Sequence, residues 1–186
     1  MKSGYHRKKE PEKVRAELLK AASDLGAKKG LSSITVQAVA DLAGVTKGGL
    51  LHHFHSKQDL IAGVFAHSLE HLDAEIDRLM AEDKETYGCF TRAYINTTFL
   101  DSSYAENPWP ALAVSVVAEP ELRILWYKWF KARLKKHRKT DSGLNLEIVR
   151  LAADGAWLNQ IDGPEHAEGI LNQGVKEKLL KLTKEK

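Results

Sequence analysis

Apolar residues recur every three or four positions along nearly the whole chain, the spacing that stripes one face of an α-helix. Over residues 11–29 the stripe is Val14, Leu18, Ala21, Ala22 and Leu25; Pro11 suits the first turn, and Gly26 or Gly30 supplies an end. The period returns with Val36, Val39, Ala40 and Ala43 and stops at Gly44. Thr46 can cap a short helix holding Leu50, Leu51 and Phe54, and Ser56 can cap another from Lys57. That last helix keeps its register through Leu60, Val64, Leu69, Ile76 and Met80 to about Ala81, roughly 37 Å at 1.5 Å per residue. Past a break at 82–85, apolar helices are expected over 86–100, 108–118, 120–139, 144–161 and 164–183. No stretch alternates as a strand does. The pattern predicts an all-α fold: a basic tail over 1–9, a small helical domain over 10–56, a connecting helix over 57–81 and a larger helical domain over 82–186.

Composition narrows the class. The 186 residues are 43% hydrophobic and 28% charged, ordinary for one or two globular domains. The net charge of +3 is unevenly spread: the first 60 residues hold eleven Lys/Arg against six Asp/Glu. A basic end on a slightly acidic body suits contact with a polyanion. The single cysteine, Cys89, excludes an intramolecular disulfide and a cysteine-only zinc site. No run approaches the roughly 20 apolar residues of a membrane span. The tail's Lys2, His6, Arg7, Lys8 and Lys9 lead into Glu10, Pro11 and Glu12, not into the apolar stretch of a signal peptide. A cytoplasmic protein is expected, its tail either a basic arm along DNA or a solvated end.

The stretch TVQAVADLAGVTKGGLLHHF, residues 35–54, carries the chemistry. Two short helices crossing at a tight turn need a small residue at the approach, a residue tolerant of positive φ at the turn and a miniature apolar core. Ala40, Gly44, and Val39 with Val45 and Leu50 meet those needs in order. The second helix of such a helix-turn-helix enters the major groove, about 12 Å wide, with its N-terminal residues leading. Thr46 and Lys47 lie at that leading end and His52 and His53 one turn later, while Lys57 opens the next helix, where free N–H groups favour a phosphate. Each of Gly48 and Gly49 costs a helix about 1 kcal/mol relative to Ala. Bare backbone that must press against DNA accounts for the pair.

Over about residues 10–65 the chain resembles the DNA-binding domain of the tetracycline-repressor (TetR) family, on Gly44-Val45-Thr46-Lys47-Gly48, Leu50, His53-Phe54 and Ser56-Lys57. The resemblance implies a homodimer that represses transcription from a palindromic operator and is released by a small-molecule effector in its C-terminal domain. Carried over position by position, the DNA contacts are Thr35, Gln37, Thr46, Lys47, Gly48, Gly49, His52, His53 and Lys57. The family usually has Tyr where this chain has Leu51, so the phosphate contact of that hydroxyl is lost or passes to His52 or His53.

Aromatic residues concentrate in the body, and a pocket walled by Phe90, Tyr94, Trp109, Trp126 and Phe130 would take an apolar or aromatic effector. The final two helices carry broad apolar faces with small residues between. By resemblance they form an isologous interface using Leu151, Gly155, Leu158, Ile170, Leu171 and Val175. The basic run from Lys128 to Lys139, which includes Arg133, reads as a solvated helix end. An enzyme is not expected. None of the eight histidines has a Glu three residues before it, and no phosphate-binding glycine loop or nucleophile elbow is present. His67 and His71 have helical spacing for a metal but no HExxH motif, so they read as a solvated pair; no cofactor and no metal are expected.

Overall fold

A computed structural model describes residues 11–29, 33–99, 116, 118–158 and 173–184. Among these there are eight α-helices and no strand: α1 (Pro11–Lys29), α2 (Val36–Leu42), α3 (Lys47–His53), α4 (Lys57–Glu82), α5 (Cys89–Thr98), α6 (Pro120–Lys136), α7 (Leu144–Leu158) and α8 (Gln173–Leu182). None of the described helices is long and apolar enough to cross a membrane. The tail, Trp109, Ile170 and Leu171 lie outside the described residues. The chain divides into two compact units, residues 1–64 and 65–186.

In the first unit, α2 packs on both α1 and α3. Leu18, Ala22, Ile34, Val39, Ala40, Leu50 and Leu60 are fully buried there and Phe54 nearly so. Of the two glycines offered as an end for α1, Gly26 lies buried inside the helix, which runs on to Lys29, the residue before Gly30. Phe54 closes this small core. The Arg15 guanidinium sits 4.3 Å over its ring on one side. On another, a Cβ at Gly63 would fall 2.7 Å from the ring and 3.2 Å from Leu19, so α4 needs glycine where it passes.

In the second unit, α5 is the central helix and packs against α7 and α8. Its core gathers Ile76, Phe90, Ala93, Tyr94, Ile95, Val149, Ala153 and Leu179. Gly88, at φ +72°, begins α5 where a Cβ would stand 2.7 Å from the carbonyl of Thr183. The orphan N–H groups of the first turn are met by a buried carboxylate: Asp141 accepts from the Thr91 N–H at 2.7 Å, the Thr91 hydroxyl at 2.8 Å and the Phe90 N–H at 3.3 Å. Arg150 balances that charge, donating to the Thr91 hydroxyl at 2.7 Å and the Asp141 carbonyl at 3.2 Å. Buried Arg92 gathers the loop before α5, donating to Asp83 at 2.7 Å and to the carbonyls of Tyr87 and Glu85.

One residue departs from the solvated basic face expected over 128–139. Arg133 is buried, its guanidinium 3.0 Å from Asp73 and 2.8 Å from Asp77 of α4, while its lysine neighbours stay exposed. Two carboxylates on the facing helix turn a surface cation into an internal tie. Trp129 donates to Asp73 as well, at 2.7 Å.

Replacing Gly63 by Ala forces the Phe54 ring to move within a packed core. We expect a loss of about 1–3 kcal/mol in the first unit's stability, read as an earlier urea transition in far-UV circular dichroism.

Candidate nucleic-acid interface

The motif begins with a side-chain cap. The Thr35 hydroxyl accepts from the Ala38 N–H at 3.1 Å and starts α2. At its end the backbone turns sharply: the Gly44 N–H donates to Asp41 at 3.2 Å and the Val45 N–H to Ala40 at 3.0 Å, with Gly44 at φ +67°. Thr46 then caps α3, its hydroxyl accepting from the Gly49 N–H at 3.0 Å. Leu50 turns inward and is fully buried. Ser56 caps α4 in the same way, accepting from the Asp59 N–H at 3.0 Å.

This leaves an outward edge. Thr35, Gln37, Thr46, Lys47, Gly48 and His52 are exposed, and Gly49, His53 and Lys57 are half-buried. Gln37 is held by its own helix, donating to Asp41 at 2.7 Å. The rings of His52 and His53 meet edge to face at 5.5 Å. Leu51 is half-buried. The two glycines differ. A Cβ on Gly48 would meet nothing within 4 Å, whereas one on Gly49 would crowd the capping hydroxyl of Thr46 at 3.2 Å. Gly49 therefore has a reason inside the protein, and Gly48 is left as bare backbone facing outward.

In the second unit six aromatic residues of α5, α6 and α7 form one connected group. Tyr94 contacts Phe90 at 6.0 Å and Phe130 at 5.5 Å between ring centres, and Trp126 stacks on both Phe130 and Trp157 at 6.0 Å. Phe90 and Tyr94 are core residues, while Trp126 and Phe130 are half-buried. The Tyr94 hydroxyl donates a short hydrogen bond to Asp154. Burial pushes the Asp154 carboxyl up, against the pull of that hydroxyl and of Arg150. A separate cleft of about 390 Å³ opens between the end of α4, α5 and α8, lined by Leu79, Asp83, Arg92, Ala93, Asn96 and Leu180. None of the described residues expected in the pocket, Phe90, Tyr94, Trp126 and Phe130, lines it. On α7, Leu151 is 64% and Leu158 46% exposed, and Gly155 is exposed between them; Val175 on α8 is 37% exposed.

Comparison with known proteins agrees with the motif. The family profile described as "Bacterial regulatory proteins, tetR family" matches residues 18–64. The profile "Tetracyclin repressor-like, C-terminal domain" matches residues 88–184, more than half of the chain. The chain belongs to the tetracycline-repressor family. TetR-family proteins are helix-turn-helix transcription regulators and not enzymes. The HTH-type transcriptional repressor KstR2 of Rhodococcus jostii is 31% identical over 93 residues, 49% of this chain and 45% of its own length. The HTH-type transcriptional regulator BetI of Ectopseudomonas mendocina is 30% identical over 115 residues, 60% of this chain and 59% of its own. The chain thus spans about half the length of the curated relatives it matches. The multidrug binding protein EbrR complexed with malachite green shares the fold, with a TM-score of 0.68 at 18% identity over 90% of this chain and 96% of that one.

In this TetR-family chain, several features of the site carry no signal at short range. Asp154 lies 60 positions from the Tyr94 hydroxyl it accepts from, and Gly63 lies nine positions past the Phe54 ring that requires it. Trp157, on α7, joins the aromatic group by stacking on Trp126 of α6, 31 positions before it in the chain.

Gly48→Ala separates folding from binding. With open space around the added methyl, the helix should gain about 0.5–1 kcal/mol. Operator affinity should fall roughly tenfold, about 1.4 kcal/mol, measured by fluorescence anisotropy beside a thermal melt.

Proposed function

We propose that this regulator represses transcription by binding a palindromic operator as a homodimer, and that an apolar or aromatic small molecule releases it. The observation that carries the reading is the leading edge of α3, where Thr46, Lys47 and the bare backbone of Gly48 face outward while Leu50 anchors the helix from behind. Such an edge fits the major groove end-on, with side chains at its N-terminus reaching base edges. Lys47 reads bases. Thr35 and Gln37, at the start of α2, and Lys57, at the start of α4, hold phosphates together with backbone N–H groups. His52 and His53 take the phosphate contact that Leu51 cannot make.

A helix of seven residues reads only a few base pairs, so specificity calls for two half-sites about 34–36 Å apart. The second copy is supplied through α7 and α8. Leu144, Ile148, Leu151 and Leu158 form an exposed apolar stripe at spacings of four, three and seven, with Gly155 inside it. An isologous contact through Leu151, Gly155, Leu158 and Val175, with Ile170 and Leu171, covers that stripe with itself. The effector's place is the aromatic group of Phe90, Tyr94, Trp126 and Phe130, with Trp109. A relative of the same fold that holds malachite green, an aromatic dye, supports that class of ligand.

The domain limits follow the same division of labour: a basic tail over 1–9, DNA binding over 10–56, the connecting helix over 57–81 and the effector and dimerisation domain over 82–186. The protein works in the cytoplasm, where DNA and metabolites meet.

Operator DNA selected from a random pool tests the assignment of roles. Lys57→Ala should weaken every sequence nearly uniformly and lower the salt slope by about one, whereas Lys47→Ala should cost about 1–3 kcal/mol and relax preference at one base position. Equal effects on specificity would overturn the roles. Dimerisation is tested separately: Leu151→Glu should give a monomer in sedimentation and bind a half-site and the full palindrome with about the same weak affinity.

A further inference from the structure

On α4, His67 and His71 are brought together more closely than helical spacing alone requires. Their rings meet edge to face at 4.5 Å between centres, with the two Nε2 atoms 3.1 Å apart. The other ring nitrogen of His67, Nδ1, lies 3.3 Å from the Glu70 carboxylate. With both rings neutral, the contacts order the protons: the Nδ1–H of His67 donates to Glu70, its Nε2 presents a lone pair, and the Nε2–H of His71 donates to that lone pair. One proton thus sits between two imidazole nitrogens, with a carboxylate behind one of them.

We propose that this proton stands where a divalent transition-metal cation binds, with His67 and His71 as its two protein ligands. Nitrogen atoms 3.1 Å apart and each about 2.0–2.1 Å from a metal subtend an angle of roughly 100° there, between the octahedral and tetrahedral values. Binding moves the His71 proton from Nε2 to Nδ1 and needs no change of helix geometry. Glu70 is the positioning residue: by accepting the His67 Nδ1–H it fixes the tautomer and raises the basicity of the ligating nitrogen. Among the described residues no group of three or more His, Cys, Asp or Glu is placed to hold a metal, so water completes the shell. The site is open at the surface, since His71 and Glu70 are exposed and His67 half-exposed. Two imidazoles with water suit Cu²⁺ best, with Zn²⁺ and Ni²⁺ weaker. The bound ion staples one turn of α4, at residues 67–71, just past the boundary between the two compact units.

The test is calorimetric titration of the untagged 186-residue chain with Cu²⁺ and with Zn²⁺ in a non-coordinating buffer. The expected result is a Cu²⁺ site that weakens about tenfold or more in both His67→Ala and His71→Ala, and less in Glu70→Gln, with Zn²⁺ weaker throughout. His55→Ala, at an exposed histidine outside the pair, should leave the affinity unchanged. The substitutions are at the surface, and far-UV circular dichroism verifies that each variant folds. Equal Cu²⁺ affinity in the original chain and His71→Ala would put the ion elsewhere and overturn the proposal, as would no binding at millimolar Cu²⁺.

Discussion

A helix of seven residues cannot hold itself together in water, because nucleation costs more than so few backbone hydrogen bonds return. α3 is such a helix, and two of its residues are glycine. It persists because it is held at three points. The Thr46 hydroxyl takes up the Gly49 N–H, Leu50 is sunk in the core, and Phe54 is pinned between Arg15 and the glycine gap in α4. Everything the proposed interface does rests on that arrangement, since the tethers all lie behind or at the ends of the helix. Its remaining surface is free to be chosen for contact with DNA.

Much of this was legible in the sequence because it is local. The caps at Thr46 and Ser56 act over three residues, and the turn at Gly44 over three to five, so residue type and spacing suffice to place them. Where reach exceeds a helical turn, legibility fails. Gly26 reads as a helix end as well as Gly30 does, yet it lies inside α1 and is buried. Arg133 reads as one cation among many, yet Asp73 and Asp77 draw it inside. The Asp141 cap on α5 spans about fifty positions, and nothing in the local pattern announces it.

The second unit solves a different problem from the first. It must enclose charge without leaving it uncompensated, because truncating one member of a buried ion pair costs several kcal/mol. Asp141 and Arg150 answer each other across the start of α5, and Arg92 spends its donors on Asp83 and on loop carbonyls. α7 then has two apolar faces: Leu146, Val149, Ala153 and Ala156 point into the core while Leu144, Ile148, Leu151 and Leu158 point out. A helix apolar on both sides is suited to being covered on both, which is why the outward stripe weighs so heavily in the proposed assembly.

The stacking of Trp126 on Trp157, with Trp129 5.0 Å from Trp126, has an optical consequence. Every tryptophan of the chain lies beyond residue 108, and residues 6–64 contain no tyrosine either. Indoles packed this closely couple their excited states, so tryptophan emission and dichroism at the indole wavelengths follow the second unit alone. The helix-turn-helix is dark at those wavelengths. A change in the tryptophan signal on adding a compound therefore originates on the side where the effector is proposed to bind, with no background from the half that meets DNA.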